Sequence, residues 1–245
     1  MPTGTTDQAV HAVPTPPTIA SLAALIADPS RATILLALLG GQSLLASELA
    51  RAARITPQTA SAHLRKLVDG GLLVSHRVGR HHYFRLLSPE VAHVLESLST
   101  IAPPQRVRSL RQSDEAKAMR CARTCYDHVA GELGVAIAER LLEQRWLLLR
   151  GDAYEVSATG IAALRRLGIN VEDLLRGKRH FAKPCLDWSE RKYHIGGALG
   201  AAIATKMFEL AWIERVPASR AVKVTQVGKS ALQAHLGLYA NEIPT

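Results

Sequence analysis

Apolar positions in the first hundred residues recur in short helical blocks punctuated by proline and glycine. Ile19 to Ala27 is a short apolar helix. It ends at Asp28-Pro29, where Asp28 caps the next helix and Pro29 takes its first turn, and Ser30 to Leu39 runs on until Gly40-Gly41. Ser43 to Ala53 carries apolar residues at 45, 49 and 52/53, and Ile55-Thr56-Pro57 closes that helix and opens another. In the helix begun by Thr56 and Pro57, Ala60, Leu64, Leu67 and Val68 form the buried stripe. Gly70-Gly71 ends it, and the segments LLVSHRV and HHYFRLL then read as two strands joined around Gly79-Arg80.

The short link between the two helices makes a helix-turn-helix. Its second helix leaves Gln58, Thr59, Ser61, Ala62, His63, Arg65 and Lys66 toward solvent or its edge, side chains suited to base edges and phosphates in a major groove. Arg77, Arg80, His81 and His82 fall on the hairpin, where cations grip the backbone beside the groove. As a set, ADPSRATILLALL, SELARAARITPQTASAHLRKLVDGGLL and VGRHHYFRL resemble the DNA-binding core of the arsenic-repressor (ArsR) family, over about residues 17 to 100. The resemblance implies a homodimer whose flanking helices pack across a twofold axis, with two recognition helices on an inverted repeat of double-stranded operator DNA. It makes Gln58, Ser61 and His63 base readers and Arg80 the wing contact. The family's cysteine-pair sensor position near 43 to 48 holds no thiol, and Glu90, His93 and Glu96 match its later metal site thinly.

PPQRVRSLRQ at 103 to 112 reads as a linker, and an internal repeat lies beyond it. HVAGELGVAIAERLLEQRW (128–146) aligns without gaps on HIGGALGAAIATKMFELAW (194–212) with nine of 19 positions identical, among them His128/His194, Gly134/Gly200 and Trp146/Trp212. The match resumes as EVSATGIAAL with KVTQVGKSAL. The expected fold is mainly α with small β hairpins (α+β): a flexible arm at 1–16, a winged helix at 17–102, and an effector or dimerisation domain at 113–245. That domain holds two helix-hairpin-helix, winged-helix-like units at 128–164 and 194–232. The paired glycines read as sites of close packing and the tryptophans as core anchors.

Ser113, followed by two acidic residues, predicts a helix through about Ala130. At about 100° per residue, Cys121, Cys125 and His128 share one face of such a helix, and Glu132 joins them. Cys121, Cys125 and His128, with Cys185 as a third thiol, are candidate ligands for zinc or a thiophilic metal or metalloid, or sensors of oxidation; buried structural cysteines are the alternative. His128 and His194 are read either as core hydrogen-bonders or as holding a small organic effector between the repeats.

Composition adds charge to this picture. Thirty Lys and Arg against 21 Asp and Glu give a formal +9, which suits a polyanion, within an otherwise ordinary 47% hydrophobic chain. The longest apolar stretch, 195 to 213, is broken by Lys206 and Glu209, so no membrane span is expected. Three cysteines argue for a cytoplasmic protein without a disulfide framework. An enzyme built on Cys and His is the competing class, but no G-x-S-x-G, H-E-x-x-H, P-loop or dinucleotide motif occurs. An RNA platform would need exposed aromatic residues, and only 4% of the chain is aromatic.

Overall fold

A computed structural model describes residues 19–103, 107 and 109–244, an α+β chain with an N-terminal winged helix. The arm expected at 1–16 and residues 104–106 and 108 of the linker lie outside the described residues. Helix α1 (Ile19–Ile26) leads into α2 (Pro29–Leu38), where the Asp28 carboxylate accepts the Arg31 N–H at 2.9 Å. Strand β1 (Leu44–Leu45), absent from the sequence pattern, precedes α3 (Ala46–Ala53). Arg54, in the left-handed region at φ 54°, turns the chain into α4 (Pro57–Asp69), and Thr56 caps that helix by accepting the Thr59 N–H at 3.2 Å. Strands β2 (Leu73–Val78) and β3 (His81–Leu86) pair with Val78 opposite His81, leaving a two-residue turn with Gly79 at φ 58°. Helix α5 (Pro89–Ile101) follows, capped by Ser88. Ile34, Leu35, Leu38, Leu49, Leu64, Leu67, Phe84, Leu86 and Leu95 close one core.

Helix α6 (Leu110–Cys121) is capped by Ser109, and Ser113 sits within it. The helix expected through Ala130 ends at Cys121. The chain turns extended at Ala122 and forms an antiparallel pair, β4 (Arg123–Cys125) and β5 (His128–Ala130), around Tyr126 at φ 58°. Gly131 at φ 77° then opens α7 (Gly131–Glu143), three residues later than the repeat alignment suggests. The path continues through the hairpin β6 (Leu147–Arg150) and β7 (Ala153–Val156), then α8 (Ala158–Arg166) and α9 (Val171–Arg176). A similar order follows: β8 (Lys183–Leu186), β9 (Tyr193–Gly196), α10 (Gly197–Glu209), β10 (Ile213–Arg215), β11 (Val222–Val224) and α11 (Gln226–Leu236). Each half thus begins with a strand pair that the helix-hairpin-helix reading lacked, because His128 and His194 lie on strands rather than helices.

The two halves contact each other reciprocally. Helix α7 packs on β9 and α10 on β5. Strand β4 runs beside β11, with the Thr124 N–H donating to the Arg220 carbonyl and the Val222 N–H to that of Ala122, both at 2.9 Å. Strand β8 runs beside β7, where the Tyr154 N–H donates to the Ala182 carbonyl at 3.1 Å. Gly134 and Gly200 allow this approach. A methyl on Gly134 would strike the Val129 carbonyl and come within 3.4 Å of His194 Cβ; one on Gly200 would strike that of Ile195 and come within 3.1 Å of His128 Cβ. Leu133, Ile137, Leu141, Leu199, Met207, Trp212 and Leu232 from both halves share a second core. No single helix among the described residues is long and apolar enough to cross a membrane.

Candidate DNA interface and buried Cys/His cluster

Helix α4 buries Ala60, Leu64 and Leu67, and the 3.6-residue period then forces Gln58, Thr59, Ser61, Arg65 and Lys66 outward, where all five are exposed. Arg77, Arg80 and His81 are exposed on the hairpin. His63 departs from this set. Its side chain is 15% exposed, and the imidazole lies 3.4 Å from the Arg31 guanidinium and 4.0 Å from Asp28, against the start of α2. Position 63 flanks the buried stripe, which turns it toward the core rather than toward the exposed face.

The C-terminal half gathers the second group of candidates. Cys125 stands directly opposite His128 on β4 and β5, and Cys185 directly opposite His194 on β8 and β9. The reciprocal packing brings these two pairs face to face. The Cys125 and Cys185 Sγ atoms are 4.0 Å apart, the His128 and His194 Nε2 atoms 3.1 Å apart, and the four donor atoms lie within 4.8 Å of one another. All four residues are buried. Cys121 stands apart at the end of α6 beside Glu132, where burial, then that carboxylate, raises its thiol pKa. Cys121 shares no helical face with Cys125 and His128, because α6 ends at Cys121 and those two residues lie on strands.

Behind each imidazole is a carboxylate two residues after the cysteine. Asp127 Oδ1 lies 3.4 Å from His128 Nδ1 and is paired with Arg179. Asp187 Oδ2 lies 3.3 Å from His194 Nδ1, although the angle there falls short of a formed hydrogen bond. Asp187 also accepts from the Arg123 guanidinium at 2.8 Å and the Gly131 N–H at 2.7 Å. Arg123 is wholly buried, stacked 4.3 Å over the Trp188 ring; nothing in the sequence pattern had marked either residue. Desolvation opposes the charge on His194, but the neighbouring Asp187 carboxylate and Cys185 sulfur outweigh it and lift its pKa to about 9. Hydrogen bonding from Cys125, and then from His128, His194 and His93, holds the Cys185 thiol far below its ordinary range.

A cavity of about 270 Å³ opens on Cys125, His128 and Cys185, walled by Glu90 and His93 of α5 and by Lys178 and Lys183. The cluster thus borders the helix that follows the wing. Nearby, the Tyr126 N–H donates to the Leu39 carbonyl at 2.6 Å, and Arg220 pairs with the buried Glu96 of α5 at 2.7 Å.

Residues 26–76 match the family described as Helix-turn-helix domain. Over 222 residues the chain is 47% identical to YdfF of Bacillus subtilis (strain 168), an uncharacterized HTH-type transcriptional regulator, covering 91% of this chain and 98% of YdfF. Among solved structures, the homodimeric winged helix-turn-helix DNA-binding domain Mb0332 of Mycobacterium bovis, a possible ArsR-family regulator, is 29% identical, covering 34% of this chain and 76% of that one with TM-score 0.32. The cadmium metal-sensor CMTR of Mycobacterium tuberculosis is 30% identical, covering 38% and 99% with TM-score 0.30. The full-length relationship is to transcriptional regulators and not to an enzyme family.

Proposed function

The chain belongs to the HTH-type, DNA-binding transcriptional regulators, and we propose that it acts in the bacterial cytoplasm as a homodimeric repressor of the arsenic-repressor type, released from an inverted-repeat operator by an effector. The observation that carries this is the exposed polar face of α4 beside a basic two-residue wing. Gln58, Thr59, Ser61, Arg65 and Lys66 enter the major groove, and Arg77, Arg80 and His81 hold phosphates alongside it. Exposed apolar residues on the flanking helices, Ile19 of α1 with Val94, Leu98 and Ile101 of α5, supply a surface for a second copy.

Residues 17–102 are then the reader and 113–245 the effector domain, built by duplication. Several features support that origin beyond the identities. Ser157 and Thr225 cap α8 and α11 by accepting from Gly160 and Gly228, and the Trp146 and Trp212 carbonyls accept from the Ser157 and Thr225 N–H groups, both at 3.0 Å. Arg145 and Ala211 take the left-handed conformation just before each tryptophan, at φ 55° and 53°. The effector reaches the buried thiols and imidazoles and is a thiophilic metal or metalloid or an oxidant.

Selection from random duplexes with the full chain should enrich an inverted repeat, and recovery of no symmetric site would overturn the repressor reading. Cys125→Ser with Cys185→Ser should leave that affinity within a few-fold while abolishing release by thiophilic metals or oxidants.

A further inference from the structure

We propose that Cys125, His128, Cys185 and His194 bind one divalent transition-metal ion of the zinc class as a closed tetrahedral Cys2His2 site, one cysteine and one histidine coming from each half of the C-terminal domain. The inference rests on the preceding reading only for its consequence at DNA; the metal site itself stands on geometry.

Tetrahedral zinc with bonds of about 2.3 Å to sulfur and 2.0 to 2.1 Å to nitrogen places two sulfurs about 3.8 Å apart and two nitrogens about 3.3 Å apart. The observed separations of 4.0 Å for the sulfurs and 3.1 Å for the Nε2 atoms need shifts of only a few tenths of an ångström. Asp127 and Asp187 stand 3.4 and 3.3 Å from the two Nδ1 atoms, which leaves the Nε2 atoms, 3.1 Å apart, as the ring nitrogens turned toward a shared ion. Without a metal ion one proton fits between these nitrogens, and an ion replaces it as both Nε2 lone pairs become ligands. Two thiolates neutralise a divalent charge, which suits a site where all four residues are buried. Two thiolates with two imidazoles favour zinc, cobalt or cadmium, and Cys121, at the C-terminus of α6, is not one of the four donors. Four protein donors leave no open position, so the ion is a clamp between the halves and not a reaction centre.

The clamp also has a mechanical setting. The turn of the first hairpin carries Tyr126, whose N–H is bonded to the Leu39 carbonyl at 2.6 Å and whose side chain packs against the N-terminal core. Removing the ion frees two hairpins that the winged helix itself touches.

The test is metal analysis of the full chain purified under reducing conditions, followed by cobalt titration of chelator-treated protein read by visible absorption. One ion per chain, intense tetrahedral cobalt bands and thiolate-to-cobalt charge transfer are expected. Cys121→Ser should give the same spectrum, and Asp127→Asn should weaken cobalt affinity by about 10- to 100-fold with the spectrum kept. No uptake by the reduced protein, weak octahedral bands, or loss of the site in Cys121→Ser would overturn the proposal. So would a Cys125–Cys185 disulfide in native protein that binds no metal once reduced. Operator binding by the same samples is measured separately. A bound ion without effector-driven release sinks the effector reading alone, whereas release without a bound ion sinks the clamp.

Discussion

Asp28 shows how much one side chain can settle. Its carboxylate accepts the Arg31 N–H at 2.9 Å, and chiefly that bond holds its pKa below the ordinary value. A depressed carboxyl contributes stability that is present above its unfolded value, near 3.8, and is lost as pH falls through the lower folded value. Asp28→Asn should keep the cap and flatten this acid-side dependence, whereas Asp28→Ala should cost about 1 kcal/mol at neutral pH, both read by urea unfolding across pH. Gly200 is the opposite kind of residue, important for an atom it lacks. Gly200→Ala drives a methyl into the Ile195 carbonyl beside His128 and should destabilise by about 1–3 kcal/mol. Gly71→Ala, at φ 72° with open space around it, should cost only about 1–2 kcal/mol of backbone strain and leave cobalt binding unchanged. That paired glycines mark a close approach was legible in the repeat. Which backbone they meet was not, because each glycine faces a carbonyl of the strand just before its own helix and a histidine of the other half.

Among elements, α4 and the wing were readable because their stripe, caps and turn residues all agree. Gln58→Ala should lower discrimination at one operator base pair by about 1–3 kcal/mol, while Arg80→Ala should weaken binding to every sequence and reduce the salt slope by about one phosphate contact. His63→Ala should do neither. It removes the imidazole packed on Arg31 and Asp28, so its effect should appear in thermal unfolding and not in the base preference of selected duplexes. The cluster was half legible for a geometric reason. Cys125 and His128 are separated by two residues, Cys185 and His194 by eight, yet both pairs sit in register across a hairpin. An ungapped alignment anchored on the histidines sets Arg191 against Cys125 and hides Cys185. Reading 113–130 as one helix then recruits Cys121 in its place. Loop length varies at small cost, so strand register was conserved between the halves while sequence spacing was not.

At the scale of the whole molecule, the question is how an event at the cluster reaches α4. The sequence carried no sign of the connection, since the pair involved is 124 residues apart. Glu96 of α5 is 3% exposed and accepts from Arg220 at 2.7 Å, and Arg220 also donates to the Thr124 carbonyl, next to Cys125, at 3.3 Å. One arginine therefore ties the helix after the wing to the strand that carries a cluster thiol. Arg220→Met should leave Glu96 buried without its partner and cost about 3–5 kcal/mol in thermal or denaturant unfolding. Adding Glu96→Leu removes the stranded charge, and the double variant should recover most of that loss. The recovered protein then isolates communication from stability. If the Arg220–Glu96 pair conveys the state of the cluster, the double variant still takes up cobalt and still binds the operator. The difference between its metal-loaded and metal-free operator affinities, a coupling of about 1–3 kcal/mol in such systems, should collapse toward zero. A double variant that keeps the full difference would place the coupling elsewhere, with the Tyr126–Leu39 and Arg191–Thr100 contacts as further bridges to the winged helix.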